Sequence, residues 1–510
     1  MLPAVLLAAV YLIWAPPSAD LAAQTFRAEL FEANGFEVWS NAWYGGFHLP
    51  GYSLLFPPLA SLIGVRLVGA LAAVASVALF AALVRSHYGD RARLAIWLFG
   101  LGAGANLFTG RLTFALGVAF GLAALLAVDR RRPRWAAVLA VLTAGASPVA
   151  GLFLAFAGGV LVCTGRRRDG VLVGGAAFAA TGLIGLAFAT GGVEPFVGNT
   201  FALISAATLI LVVLLPRVEN RLRLGAVLYL LLCLALFVFD TPVGGNATRL
   251  GALMAAPLFA LGAWGRRPVW LVAIALVPLV YWQLVAPVRD LSEAVGERSV
   301  EAGYYAPLLS ELEVRAPDRE FRVQVPPTRN RWEANFVAER VPLARGWLRQ
   351  AESDDFDLFK HDNLTPDSYR EWLDERGVAF VALSLGAEPD YMSEDEIDLV
   401  QAGLPYLREV WSNEDWELYR VVAPEPLAEV PVRVDEAGFE LEADRVAEFR
   451  VAVRYSPYHR VVEGDACVRE AGDWTVLDVR AAGWIRVEAK PSAGGILDAL
   501  TGSTEFCSDG

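Results

Sequence analysis

Two charged residues stand where chemistry at a membrane edge can use them. Asp20 follows directly on an apolar run, Leu2–Trp14, and opens a polar stretch reaching to about Pro58. A carboxylate at such an edge can act as a general base. Arg249 starts an apolar segment after Asp240-Thr-Pro-Val-Gly-Gly-Asn-Ala-Thr. A guanidinium at a helix entry needs an anionic partner. Asp240 is one choice, and the phosphate of a lipid-linked substrate is another. Arg111, in Thr109-Gly-Arg111, is a second cation of the same kind.

The stretch 16–58 is dense in aromatic residues, Trp43, Tyr44 and Tyr52 among them, with Arg27, Glu29, Glu32, Glu37 and His48 interleaved, and it ends in Phe56-Pro57-Pro58. The plainer reading is an interfacial amphipathic helix with an aromatic belt. The sharper one is a catalytic loop on the outer surface, where Trp43, Tyr44 and His48 meet a sugar or lipid. No Gly-x-Ser-x-Gly, His-Glu-x-x-His or P-loop occurs. The histidines, His48, His87, His361 and His459, have no metal-ligand spacing. No metal site is therefore expected.

Composition says what must position these residues. The 510 residues are 55% hydrophobic and 19% charged, with mean hydropathy +0.43. A soluble domain carries about 25% charge. Residues 1–287 have net charge +9 and residues 288–510 have −22. Such an acidic polar half excludes nucleic-acid binding by bulk charge. The hydrophobic content excludes disorder.

Spans of roughly 20 apolar residues read near 1–15, 60–84, 94–109, 112–128, 135–149, 150–164, 171–190, 197–215, 224–239, 248–264 and 268–287, about eleven in all. Residues 135–164 read as two short helices or as one kinked at Ser147-Pro148. Arginines concentrate in alternate loops: 85–93, 130–134, 166–168, 217–223 and 266–267. The positive-inside rule places those loops in the cytoplasm. Merging 135–164 would put two Arg clusters on opposite sides, which favours two helices. The N-terminus is then cytoplasmic, in a multi-pass plasma-membrane protein with extracytoplasmic C-terminal domains. Leu2–Trp14 followed by Ser18-Ala19-Asp20 also resembles a signal peptide without a positive start. Gly100-x3-Gly104 and Gly117-x3-Gly121 are close-packing motifs.

The expected fold is a polytopic helical membrane domain, 1–287, with a long first outer loop, 16–58. A connector (288–317), an exported α/β domain (318–424) and an exported β-sandwich (425–510) follow. Thr365-Pro366 signals a helix start, running to Glu375. Strands are expected at 321–325, 378–383, 417–422, 430–434, 448–454, 474–479 and 484–488, with a helix at 394–402. In an oxidising exterior Cys467 and Cys507 are expected to pair, while Cys163 and Cys233 fall in apolar helices.

The layout resembles the GT-C superfamily of integral membrane glycosyltransferases. The resemblance rests on the many helices, Asp20 after the first of them, the exit Tyr52…Phe56-Pro57-Pro58 and the exported C-terminal part. It implies an enzyme moving sugar from a polyprenyl-phosphate carrier to a cell-envelope acceptor, with Asp20 as catalytic base. The first-loop acidic residue is single here, where many members carry a pair. Trp332-Glu-Ala-Asn-Phe-Val-Ala and Arg345-Gly-Trp-Leu-Arg-Gln350 look like exported parts of YfhO-type bacterial membrane proteins. The chemistry would be an inverting transfer: a hydroxyl attacks the anomeric carbon and the phosphate leaves. Asp20 would take the proton; Arg249 and Arg111 would offset phosphate charge, which a divalent cation can share. Membrane lipid is the expected surround. The alternatives are a transporter or lipid flippase, or a non-catalytic envelope scaffold of the same fold. Few membrane charges and no repeated halves speak against transport.

Overall fold

The computed structural model describes residues 1–189, 191–315, 320–352, 358–359, 363–502 and 505–507. His361 lies outside the described residues. The chain forms two compact units. The first comprises Met1–Gln24, Gly51–Gly185 and Gly191–Val295; the second comprises Thr25–Pro50, Leu186–Thr190 and Gly296–Gly510.

Apolar runs set most helices of the first unit; the helix Ala19–Asn34 belongs to it only as far as Gln24. In chain order these are α1 (Leu2–Trp14), α2 (Ala19–Asn34), α3 (Phe56–Ile63), α4 (Val65–Tyr88), α5 (Arg93–Ala105), α6 (Leu112–Asp129), α7 (Pro133–Ala146), α8 (Pro148–Cys163), α9 (Arg167–Ala187), α10 (Gly198–Leu214), α11 (Asn220–Val238), α12 (Thr248–Ala263) and α13 (Val269–Ala294). All but α2 and α3 lie on apolar runs read from the sequence. Among the described residues, five helical stretches are long and apolar enough to cross a membrane: Val65–Thr109, Leu112–Asp129, Arg167–Ala187, Arg217–Val238 and Val269–Ala294. Counting the bent pair α1–α2 as one makes six. Helices α7, α8 and α10 have 14, 16 and 17 residues. At about 1.5 Å per residue they fall short of a hydrocarbon core about 30 Å thick.

Small residues let the helices close up. A side chain at Gly104 would meet Leu7 Cβ at 2.8 Å, and one at Gly117 would meet Ala150 Cβ at 2.5 Å. The spacing of Gly100, Gly104, Gly117 and Gly121 is thus helix packing. The two-helix reading of 135–164 holds. Ser147 adopts an extended conformation between α7 and α8, and its hydroxyl accepts from the Ala150 amide. Pro148 occupies the first position of α8, where its missing N–H costs nothing.

The second unit is strand-rich. Strands β1 (Trp39–Ser40) and β2 (Phe47–His48) pair as a short hairpin. Then come α14 (Ala302–Arg315), β3 (Arg322–Gln324), α15 (Glu333–Phe336), α16 (Pro366–Glu375), β4 (Val378–Ser384), α17 (Glu394–Gln401), β5 (Leu407–Ser412) and β6 (Trp416–Val421). They form one sheet ordered β3-β4-β6-β5, with β3 and β4 parallel. Thr365 caps α16 through a reciprocal bond pair with Ser368. Strands β7 (Val432–Val434), β8 (Gly438–Ala443), β9 (Glu448–Arg454), β10 (His459–Glu463), β11 (Ala466–Ala471), β12 (Trp474–Val479), β13 (Gly483–Ala489) and β14 (Glu505–Cys507) make two antiparallel sheets, β10-β13-β8-β7 and β14-β11-β12-β9. Both sheets bury side chains in one core around Phe439, Leu441, Phe449, Val451 and Leu477. Cys467 and Cys507 face each other on β11 and β14 and form a disulfide. Cys163 and Cys233 are free thiols in α8 and α11.

Candidate functional site

Asp20, Arg111 and Asp290 meet in the first unit. Ala15 ends α1 in the left-handed region, and Pro16-Pro17 prevent its continuation. The chain bends 70° and restarts as α2, with Asp20 in the first turn. A carboxylate there faces the positive end of the helix dipole. Gly110, at φ +77°, brings the backbone before Arg111 against Ser18 and Leu21, so closely that a Cβ would overlap both. Arg111 then donates from Nε to Asp20 Oδ2 at 2.6 Å. Its Nη2 lies 3.9 Å from Asp290 Oδ2, near the end of α13. Arg289 holds the other Asp290 oxygen at 2.9 Å.

Arg249 stands in the field of this group. It interacts electrostatically with Arg111 and Asp20, and with Tyr52 and Glu194. Its side chain is half-buried, and no ion pair to it occurs among the described residues. Asp240 is exposed, and no ion pair joins it to Arg249; the expected local pairing across that loop is absent. Gln24, one turn beyond Asp20, donates to the Tyr52 hydroxyl at 2.8 Å.

The remaining residues read from the first loop lie elsewhere. Trp43, Tyr44 and His48 belong to the second unit and are 0%, 3% and 7% exposed. Trp43 stacks between Phe26 and Phe47 and donates to the Ala334 carbonyl at 2.8 Å. The Tyr44 hydroxyl donates to the Leu348 carbonyl at 2.9 Å. His48 sits 2.6 Å from the Ala189 carbonyl and 3.1 Å from Ser456 Oγ. Burial holds its imidazole down at about 4. These side chains pack inside the second unit. The reason is backbone pairing: residues 41–45 bond to Glu436, Leu343 and Arg454. The loop is long because it contributes to the second unit.

Asp290 escaped the sequence reading. It lies three residues past the expected span 268–287, within the expected connector 288–317. Its signal was present: an acidic residue on the unbroken helical continuation of an apolar segment. Gly110 was likewise visible only as part of Thr-Gly-Arg.

The group does not suit a divalent cation. Such an ion wants several oxygens converging on one point, whereas the Arg111 guanidinium bridges Asp20 and Asp290. Among the described residues no cluster of three metal-ligating side chains occurs.

No family model matches the chain, and no curated protein does. Among solved structures, the chain is similar to the Archaeoglobus fulgidus oligosaccharyltransferase tethered to an acceptor peptide. The TM-score is 0.41 and the identity 13%, over 75% of this chain and 68% of that one. Neither fold nor activity follows from a likeness of that size.

Proposed function

We propose that the protein is a GT-C-like membrane glycosyltransferase that moves a sugar from a polyprenyl-phosphate carrier to a cell-envelope acceptor outside the plasma membrane. The observation that carries this reading is the convergence of Asp20, Arg111 and Asp290 with an Arg249 that lacks an ion-pair partner among the described residues. Four charges far apart in sequence gather in a unit built of apolar helices, where an unmatched charge is costly.

In this reading about eleven apolar helices lie in the membrane, the short α7, α8 and α10 among them, with the Arg-rich turns inside. Residues 1–287 form the membrane domain, and residues 318–424 and 425–510 are exported. Arg111 orients Asp20 through Oδ2, which leaves Oδ1 for the acceptor hydroxyl. The hydroxyl oxygen attacks the anomeric carbon as its proton passes to Asp20. The bond to the carrier phosphate breaks, and Arg249 offsets the charge left on that phosphate. Phosphate is a good leaving group, so no general acid is required.

The test uses membranes carrying the full chain and a radiolabelled polyprenyl-phosphoryl sugar. Asp20→Asn keeps the shape and removes the base, so transfer should fall by about 10²-fold or more. Arg249→Gln should weaken donor use by roughly tenfold to a hundredfold. Full transfer in both variants overturns the catalytic assignment and favours a scaffold.

A further inference from the structure

In the second unit, four arginines crowd one place. Arg322, on β3, is 1% exposed. Its Nη1 donates to the Arg376 carbonyl at 2.8 Å. Its Nε and Nη2 are buried and have no hydrogen-bond partner among the described residues. Burial, and then the like charges of Arg376, Arg454 and Arg450 around it, pull its guanidinium down to about 9. Glu375 lies beside Arg376 in the same cluster. It is already committed, with Oε1 accepting from Trp474 Nε1 at 3.1 Å and Oε2 at 3.0 Å from Arg376.

This arrangement is unfavourable as it stands. A buried donor without an acceptor carries its full desolvation cost, which is larger for a charged group. Like charges brought together out of water add to that cost. Arg454 repeats the pattern, its buried Nε also lacking a partner. Arg450 is exposed and lies 5.2 Å from the Trp474 ring, which braces it. The cluster therefore runs from a buried guanidinium to a solvent-facing one, whose Nη2 donates to the Glu375 carbonyl at 3.3 Å.

The geometry points to a binding site for a phosphate-class oxyanion, with Arg322 as its floor and Arg454 and Arg450 as its mouth. Guanidinium forks match phosphate oxygens in pairs. One dianionic group satisfies several open N–H donors at once and leaves the cluster nearer neutrality. The anion is a free phosphate group or one carried on a lipid headgroup; the donors recognise both alike. The site belongs to the second unit and does not depend on the activity proposed for the Asp20 group.

The experiment is a calorimetric titration of inorganic phosphate into the detergent-solubilised full chain, in chloride buffer of constant ionic strength. A parallel titration of the Arg249→Gln chain separates any heat from the first unit. One phosphate should bind with equal affinity in both chains. Arg454→Gln and Arg450→Gln should each weaken it by roughly tenfold or more. Neither should melt earlier than the parent in phosphate-free buffer, because each relieves like-charge repulsion. Phosphatidylglycerol vesicles then distinguish the sources. Arg454-dependent vesicle binding means a headgroup, and phosphate binding without it means a free anion; both support the site. No phosphate binding, or binding unchanged by both substitutions, overturns it.

Discussion

At the scale of single residues, burial decides which polar groups are free to act. Asp20 and Arg249 keep partial exposure, whereas His48 and His459 are buried in the second unit. Among the described residues neither ring nitrogen of His459 has a hydrogen-bond partner. Burial, with His48 and Arg460 nearby, holds its imidazole down at about 3, and His48 stands at about 4. Both lie below the ordinary 6.5. The folded state thus binds fewer protons than the unfolded one below pH 6.5, and stability falls as pH drops. The loss should be absent above about pH 7 and steepest near pH 5, with a slope up to about 2.7 kcal/mol per pH unit for two histidines. Thermal melts of the full chain between pH 7 and pH 4.5 check this. His459→Gln should flatten the slope, and an unchanged slope would show that other groups carry it.

At the scale of elements, the helix breaks matter more than the helices. Asp20 is placed by the bend after Ala15, and Arg111 by the turn at Gly110. A side chain at Gly110 would be strained at φ +77° and would overlap Ser18 and Leu21. Gly110→Ala should therefore separate Arg111 from Asp20 and cut transfer by tenfold or more on the order expected for a misplaced catalytic group. Helices α4 and α6 should remain, so helicity by circular dichroism should stay near that of the parent. Transfer at the parental rate would show that the turn does not position the pair. Local chemistry made several elements legible beforehand. Ser147-Pro148 marked a break, Thr365-Pro366 marked a start, and alternation marked β9 and β12. Strands β5, β8, β10 and β11 were not read. In β5 most side chains stay partly or fully exposed, so no alternation of buried residues announces it.

At the scale of the whole molecule, one covalent link lies within a single C-terminal sheet. The Cys467–Cys507 disulfide closes a separation of 40 residues and ties β14 to β11. Cross-links of that span contribute about 2–4 kcal/mol, chiefly by restricting the unfolded chain. Cys507→Ser should lower the melting of the second unit, and a reducing agent should do the same to the parent but not to the variant. A reductant effect that persists in Cys507→Ser would place its target elsewhere.

The sequence by itself determined what local physics controls. Apolar length made the helices, arginine spacing grouped their connecting loops, small residues set their packing and β-alternation placed several strands. Those signals lie within a few residues of what they specify. It also singled out Asp20, Arg111 and Arg249, because charges beside apolar runs are conspicuous. Only the tertiary structure decided which of them meet. Asp20 found Arg111 and Asp290 rather than a second acid in its own loop, and Arg249 was left without Asp240. It likewise moved Trp43, Tyr44 and His48 from an expected binding surface into a core. Contacts between residues hundreds of positions apart depend on how faces pack, and no local pattern in a single sequence records that pairing.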